Sequence, residues 1–270
     1  MEDKLIAFSG VKYIYSEKIN QLVLDDHIQD IGTEGGINVE ELVLLQPDII
    51  MAYNSGNPTY DQFDKMRSLK LKPVLNNEYL ELTPLGQAEW IKFVATFFDK
   101  LPEAKNLFTV VETEYLAIKK LTDTIQNKPT VFTGTAFKGE WTVPGGKSFA
   151  ATFLKDAGAD YIWNADDKTG NFPVSFEDVI NKAKDADVWL HPGASETLQD
   201  MVNMDIRFNY FNAYRKEEVY NNNNRVNSFG GNDYWESAVF APQVVLQDLV
   251  KIFHPELMVD HSFVYYKHLE

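Results

Sequence analysis

The side chains with most chemistry to offer in this 270-residue chain are 5 histidines, 40 carboxylates and a dense set of rings, 18 Phe, 13 Tyr and 5 Trp. The histidines are His27, His191, His254, His261 and His268. None belongs to an H-E-x-x-H pattern, and no His-rich loop gathers them as a transition-metal site would. His191 closes an apolar run, where it could face a cleft and ligate haem iron; a solvated or capped imidazole fits the same position. Cysteine is absent. That removes thiol nucleophiles, zinc–thiolate sites, iron–sulfur clusters and disulfides together. No G-x-S-x-G elbow is present, and no motif sets a carboxylate pair apart for acid–base work. Gly145-Gly146-Lys147-Ser148 looks like the end of a phosphate loop, but Trp141 stands where the first glycine is required. The two glycines could still aim N–H groups at an anionic part of a ligand.

Composition narrows the partners. The net charge of −15 repels phosphate backbones, so nucleic acid is not expected as a partner. Arg67, Arg207, Arg215 and Arg225 are the only arginines, which suits a highly anionic ligand poorly, although Arg207 could serve one. The aromatic surplus suits either a large core or a cleft for a flat, greasy ligand.

Elements that would position these residues alternate between strand and helix. Ile49 to Tyr53 reads as a buried strand ending in an Asn-Ser-Gly loop, residues 60–69 as a helix and Lys72 to Leu75 as the next strand, a βαβ rhythm. Thr83-Pro84 opens a helix to about residue 99. From Pro102 to about Gln126, Ala104, Leu107, Phe108, Val111, Tyr115, Ile118, Leu121 and Ile125 recur at helical spacing. Such a helix is about 37 Å long at 1.5 Å per residue, enough either to join two lobes as a spine or to lie along one surface. The rhythm then restarts with strands at 130–134 and 186–190, a helix at 148–157 and a last helix from Ala241-Pro242 to Phe253. Asn221 to Asn224 read as an exposed turn.

One unit occurs twice. Residues 37–56 and 174–193 each start with a capping residue, Asn38 or Ser175, followed two positions on by Glu40 or Glu177, then an apolar helix, an Asp, a buried strand and a glycine loop. The acids sit in the first helical turn, where the helix dipole favours them.

Taken in order, these stretches resemble a known family. Asn38-Val39-Glu40 through Ile50, Trp141 through Gly146, Ala157-Gly158-Ala159, Val174 through Glu177, Asp233 through Glu236 and His254 through Leu257 are similar to class III periplasmic binding proteins, which serve ABC importers of iron–siderophores, haem and vitamin B12. Pro84 through Phe93 resembles a Bacteroides-type subgroup. The resemblance implies an α/β fold of two Rossmann-like lobes joined by one long helix, with the ligand cleft between the lobes. The expected division is 1–101 for the N-terminal lobe, 102–127 for the spine and 128–270 for the C-terminal lobe. Family members begin with a strand and helix ahead of the segment matched by Asp3 to Ala7, so these and an export signal are expected to be missing.

The cleft belongs where strand ends meet helix starts. First-lobe loops of this kind hold Tyr13, Glu34, Gly35, Gly36, Tyr53 and Asn54; second-lobe loops hold Phe137, Trp141, Lys147, Phe172 and Asp233-Tyr234-Trp235. The resemblance implies pocket positions for Tyr53, Trp141, Phe172 and Asp233–Trp235, where rings would stack on a corrin or porphyrin. It also implies that Glu40 and Glu177 dock onto permease arginines, two charges that fix orientation as well as attraction. The expected protein is a solute receptor without catalytic residues, intrinsic cofactor or resident metal. Its ligand would be an iron chelate, haem or corrinoid, and its partners the permease and, through it, the ATPase. It would sit in the periplasm or at the cell surface on a lipid anchor. A glycosyltransferase-like two-lobed enzyme and a protein-binding scaffold are the rival readings; the first lacks a nucleotide fingerprint, and the second predicts no cleft.

Overall fold

The computed structural model describes residues 2–33, 36–57, 61–137 and 139–270. Its contacts divide the chain into two units: Met1–Leu80 with Val226–Glu236, and Glu81–Arg225 with Ser237–Glu270.

The first unit runs β1 (Ala7–Phe8), α1 (Glu17–Leu24), β2 (Gln29–Asp30), β3 (Gly32–Thr33), β4 (Gly36–Ile37), α2 (Val39–Leu45), β5 (Ile50–Ala52), α3 (Phe63–Ser68) and β6 (Pro73–Leu75). β1 pairs with β2 and β5 with β6, both in parallel, while β3 and β4 are antiparallel. The core is small and aliphatic: Ile31, Val39, Leu42, Ile50 and Met66, edged by Ala7, Ile37, Leu45, Phe63 and Leu71. Ser16 caps α1 and Asn38 caps α2, each accepting from an N–H three residues on.

Val226–Glu236 folds onto this unit. Asn227 Nδ2 donates to the carbonyls of Lys12 and Ile14, both at 3.0 Å. The Glu236 carboxylate accepts from the N–H groups of Tyr15 and Ser16 at the start of α1. A Cβ at Gly231 would lie 1.9 Å from the Tyr13 carbonyl oxygen, so the close approach requires glycine.

The second unit holds α4 (Pro84–Glu89), α5 (Ile91–Thr96), α6 (Leu101–Thr122), β7 (Thr130–Thr133), β8 (Ala136–Phe137), β9 (Glu140–Pro144), α7 (Phe149–Asp156), β10 (Asp160–Tyr161), β11 (Asn171–Val174), α8 (Phe176–Ala183), β12 (Val188–Leu190), α9 (Leu198–Met204), α10 (Asn212–Arg215), β13 (Val219–Asn221), α11 (Pro242–Phe253) and β14 (Lys267–His268). Its main sheet has the order β10-β7-β12-β13-β14, parallel except for β14. A second, antiparallel sheet has the order β11-β9-β8. Every residue of β12, and all of β7 after its first, is buried, which accounts for their continuous apolar runs.

Between the layers lies an aromatic core of Phe132, Trp141, Trp189, Phe208 and Phe211, none more than 1% exposed. Phe132 packs 4.9 Å from Trp189 and 5.0 Å from Phe211, centroid to centroid. The two indoles donate to the carbonyls of Thr133 and Gly134, which removes the cost of burying their N–H groups.

The long helix α6 buries Ala104, Phe108, Val111, Tyr115, Ile118 and Thr122 inside this unit. Its 22 residues span about 33 Å. Tyr115 and Lys119 both reach the buried Asp156, at 2.9 and 2.7 Å. Ala88 of α4 packs with Phe108 and Val111, with Leu85 and Ile91 at the margin. That packing draws residues from 81 onward into the second unit, so the observed division differs from lobes ending at 101 and starting at 128.

Other expectations shift for local reasons. The helix expected from 84 to 99 breaks at Trp90, whose indole donates to Glu81 at 2.9 Å. The first two of the four asparagines are not in an exposed turn: Asn221 is 1% and Asn222 8% exposed, and Asn221 Nδ2 donates to the carbonyls of Gly193 and Ser195, while Asn224 is exposed. Asp248, wholly buried, accepts from the N–H groups of Val264, Tyr265 and Tyr266 and from His261 at 2.6 Å, fixing the segment that leads into β14.

Candidate functional site

In the first unit, the loops leaving the C-terminal ends of the parallel strands carry exposed rings. Tyr13 lies beyond β1 and is 53% exposed, with the Lys12 ammonium 5.0 Å from its ring centre. Tyr53 follows β5 directly and is 64% exposed. Its ring meets Tyr79, beyond β6, edge to face at 5.9 Å and 77°. The Tyr79 hydroxyl donates to the Asn54 carbonyl, and Asn77 Oδ1 accepts from the Asn54 N–H, so the two strand ends brace each other. Tyr79 was not among the residues expected at the site. The signal for it was an aromatic following a strand in the same βαβ unit as Tyr53.

Asp233, Tyr234 and Trp235, expected on the second lobe, belong to the first unit instead, because Asn227, Gly231 and Glu236 tie their loop to residues 12–16. Asp233 is buried, Tyr234 half-buried, and Trp235 stands 72% exposed with its ring 4.9 Å from Tyr234. Glu34 and Gly35 lie outside the described residues.

In the second unit most expected site residues do something else. Trp141, expected in the pocket, is 0% exposed and central to the aromatic core. Its strand alternates out and in along Glu140-Trp141-Thr142-Val143, so the indole points to the core face. Phe172 is half-buried beneath the Lys168 ammonium at 4.2 Å and shares a shallow groove of about 420 Å³ with Trp163, Val174, Asp178 and Lys182. Lys147 is ion-paired with Asp167. Gly145 and Gly146 present no anion cradle: the Gly145 N–H is bonded to Gly170, and a Cβ on either would collide with carbonyls of residues 163–168. Phe137 lies in β8 opposite Glu140. His191 sits just past β12 with φ 56°, Nε2 2.6 Å from the Tyr266 hydroxyl, and burial lowers its pKa to about 4. The neighbouring glycine, Gly193, approaches Thr135 beyond β7, so two central strand ends meet there.

The repeated helices match position for position. In α2, Val39 and Leu42 are buried and Glu40 is exposed; in α8, Phe176 and Val179 are buried and Glu177 is exposed. Each carboxylate has a cation from its own unit nearby. Lys65 Nζ lies 2.8 Å from Glu40 and holds its carboxyl below the usual range. Arg207, expected in the cleft, stands beside Glu177 instead: its guanidinium is clamped by Asp205 at 2.6 Å, lies 3.9 Å over the Phe176 ring and feels the Glu177 charge. Among the described residues, no cluster of three or more His, Asp or Glu could hold a metal, and no helix is long and apolar enough to cross a membrane.

A family model for periplasmic binding proteins matches residues 1–225. The chain belongs to that family. The fold is shared with an ABC transporter substrate-binding protein from Listeria monocytogenes EGD-e, at TM-score 0.66 and 16% identity over 94% of each chain. It is shared with Staphylococcus aureus IsdE complexed with haem, at TM-score 0.65 and 15% identity over 94% of this chain and 93% of that one. A third example is the periplasmic vitamin B12-binding protein BtuF of Vibrio cholerae, at TM-score 0.61 and 15% identity over 96% and 91%. At such identities the likeness concerns fold alone. An uncharacterised lipoprotein of Methanocaldococcus jannaschii is 30% identical over 248 residues, 90% of this chain, and the chain spans 56% of that relative's length.

Proposed function

We propose that this protein is the extracytoplasmic receptor of an ABC importer for a metal chelate or corrinoid: an iron–siderophore, haem or a cobalamin-type ligand. The observation that carries this reading is the set of exposed rings in the first unit: Tyr13, Tyr53 and Tyr79 beyond strand ends, and Trp235 on the segment that packs against residues 12–16. Large rings left in water are anchors for a flat ligand that covers them. The haem complex of one protein with this fold, and the vitamin B12-binding protein that shares it, agree with such cargo.

The protein does no covalent chemistry in this reading. It hands its ligand to a permease, onto which Glu40 and Glu177 dock. Their identical place in two capped helices supports a paired role, since two fixed charges orient a partner as well as attract it. The working location is the periplasm or cell surface on a lipid anchor, a reading supported by relatives named as lipoproteins. Titration with cobalamin, cobinamide, haemin and ferric siderophores, followed by tryptophan emission corrected for ligand absorbance, tests the reading. Saturable binding of one ligand, weakened in Trp235→Ala, is expected. A folded protein that binds none of the panel would sink it.

A further inference from the structure

We infer that the cargo is a flat ring carrying no net negative charge, seated with one edge in the corner between Tyr53 and Tyr79. The inference rests on the receptor reading above and narrows it to corrinoids over haem and anionic ferric chelates. Two independent observations carry it.

The first is shape. Tyr53 and Tyr79 leave neighbouring parallel strands, paired Ala52 to Leu75, and meet nearly at right angles. One ring therefore offers a face and the other an edge to anything entering the corner. The corner is rigid, because Asn54 accepts from the Tyr79 hydroxyl and donates to Asn77. Preorganised aromatic walls of this kind bind a planar ligand with little loss of freedom. The surrounding loops supply Asn54, Asn76 and Asn77, neutral carboxamides able to bond the amide groups on a corrin rim.

The second is charge. The first unit has seven cations: Lys4, Lys12, Lys18, Lys65, Arg67, Lys70 and Lys72. Lys4, Lys18, Lys65 and Arg67 are paired with Asp3, Glu2, Glu40 and Asp64. Lys70 and Lys72 precede β6, at the opposite end of the strands. Only Lys12 belongs to a loop beyond a strand's C-terminal end, and it lies against the Tyr13 ring. The Val226–Glu236 segment contributes no cation, while the strand-end loops carry Asp61 and Glu78. Burial raises the Glu78 pKa, as expected where no cation offsets desolvation. This edge repels the propionates of haem and the charge of a tris-catecholate ferric complex.

Calorimetric titration of the full chain with cyanocobalamin, aquacyanocobinamide, haemin and ferric enterobactin tests both halves. The expected result is a corrinoid bound at least about tenfold more tightly than haemin or ferric enterobactin, with a Tyr79→Ala loss of about tenfold and a smaller loss in Tyr79→Phe, which keeps the ring but gives up the hydroxyl's bond to Asn54. Tyr79 is 46% exposed, so its removal should leave the thermal midpoint unchanged, and Tyr53→Ala serves as a second probe of the corner. Tighter binding of haemin or ferric enterobactin overturns the charge inference and leaves the receptor reading standing. Unaltered corrinoid affinity in both tyrosine variants overturns the seat. No binding by any of the four overturns the receptor reading, and the inference with it.

Discussion

The two units differ in where their most tightly placed rings go, although the second also leaves Phe97, Tyr210 and Phe240 exposed. The second unit hides Phe132, Trp141, Trp189, Phe208 and Phe211 in a core where none exceeds 1% exposure. The first unit rests on five aliphatic residues and leaves Tyr13, Tyr53, Tyr79 and Trp235 in water. The same ring chemistry that stabilises when buried is, in the receptor reading proposed above, a binding surface when a loop holds it outside. The contrast is sharpest between two tryptophans. Trp141→Ala should destabilise the second unit by about 3–5 kcal/mol, the usual loss for a large buried ring, seen as a lowered midpoint in denaturant unfolding. Trp235→Ala should leave that midpoint unmoved and weaken ligand binding instead. A stable Trp141→Ala variant that loses only ligand affinity would erase the distinction.

His191 tests the same contrast by proton rather than by mutation. Burial depresses its pKa to about 4, against an ordinary value near 6.5. The folded protein thus keeps the imidazole neutral at a pH where the unfolded chain takes up a proton. Stability from this group is complete above about pH 6.5 and is lost as pH falls towards 4, by up to about 3 kcal/mol. The strand-end loops of the second unit, not the exposed rings of the first, are then the acid-sensitive part. His191→Asn should flatten the difference in unfolding free energy between pH 7 and pH 4.5, once the slope common to both proteins is subtracted. Equal slopes for the two proteins would show that His191 is protonated without cost.

Most elements were legible because their signals are local. Pro102 and Pro242 stand in the first turn of the helices they open, and Asn38 and Ser175 cap theirs as read. The paired Glu40 and Glu177 positions came from a short internal repeat. What escaped depends on distant contacts. Trp141 stands among Gly139, Glu140 and Pro144, which read as loop, yet β9 is flanked on both sides by strands whose pairing no local signal announces. The Val226–Glu236 segment lies more than 200 residues from the loop it packs on, a distance the resolved bonds from Asn227 to Lys12 and Ile14 span. Even so, the alternation in Glu140-Trp141-Thr142-Val143 and the two glycines at 230–231 were visible clues to a strand and a close approach.

The finest contrast lies between Glu40 and Glu177, the two carboxylates proposed to dock. Glu40 must give up Lys65 at 2.8 Å before a permease arginine can take it. Glu177 makes no ion pair with a described residue, because the nearby guanidinium of Arg207 is already clamped by Asp205. Exposed pairs of this kind add little to folding, so Glu40→Gln, Glu177→Gln and Lys65→Met should all unfold at the wild-type midpoint. Their effects belong to association with the permease, measured with the transporter in lipid nanodiscs. Glu177→Gln should weaken docking more than Glu40→Gln, since its carboxylate has no internal partner to lose. Lys65→Met should strengthen docking by a few-fold and steepen its salt dependence, because an uncompensated charge then faces the membrane partner. Identical losses in the two Glu→Gln variants, with Lys65→Met silent, would mean that the internal cations are bystanders and that only the repeat, not its local pairing, matters to the interface.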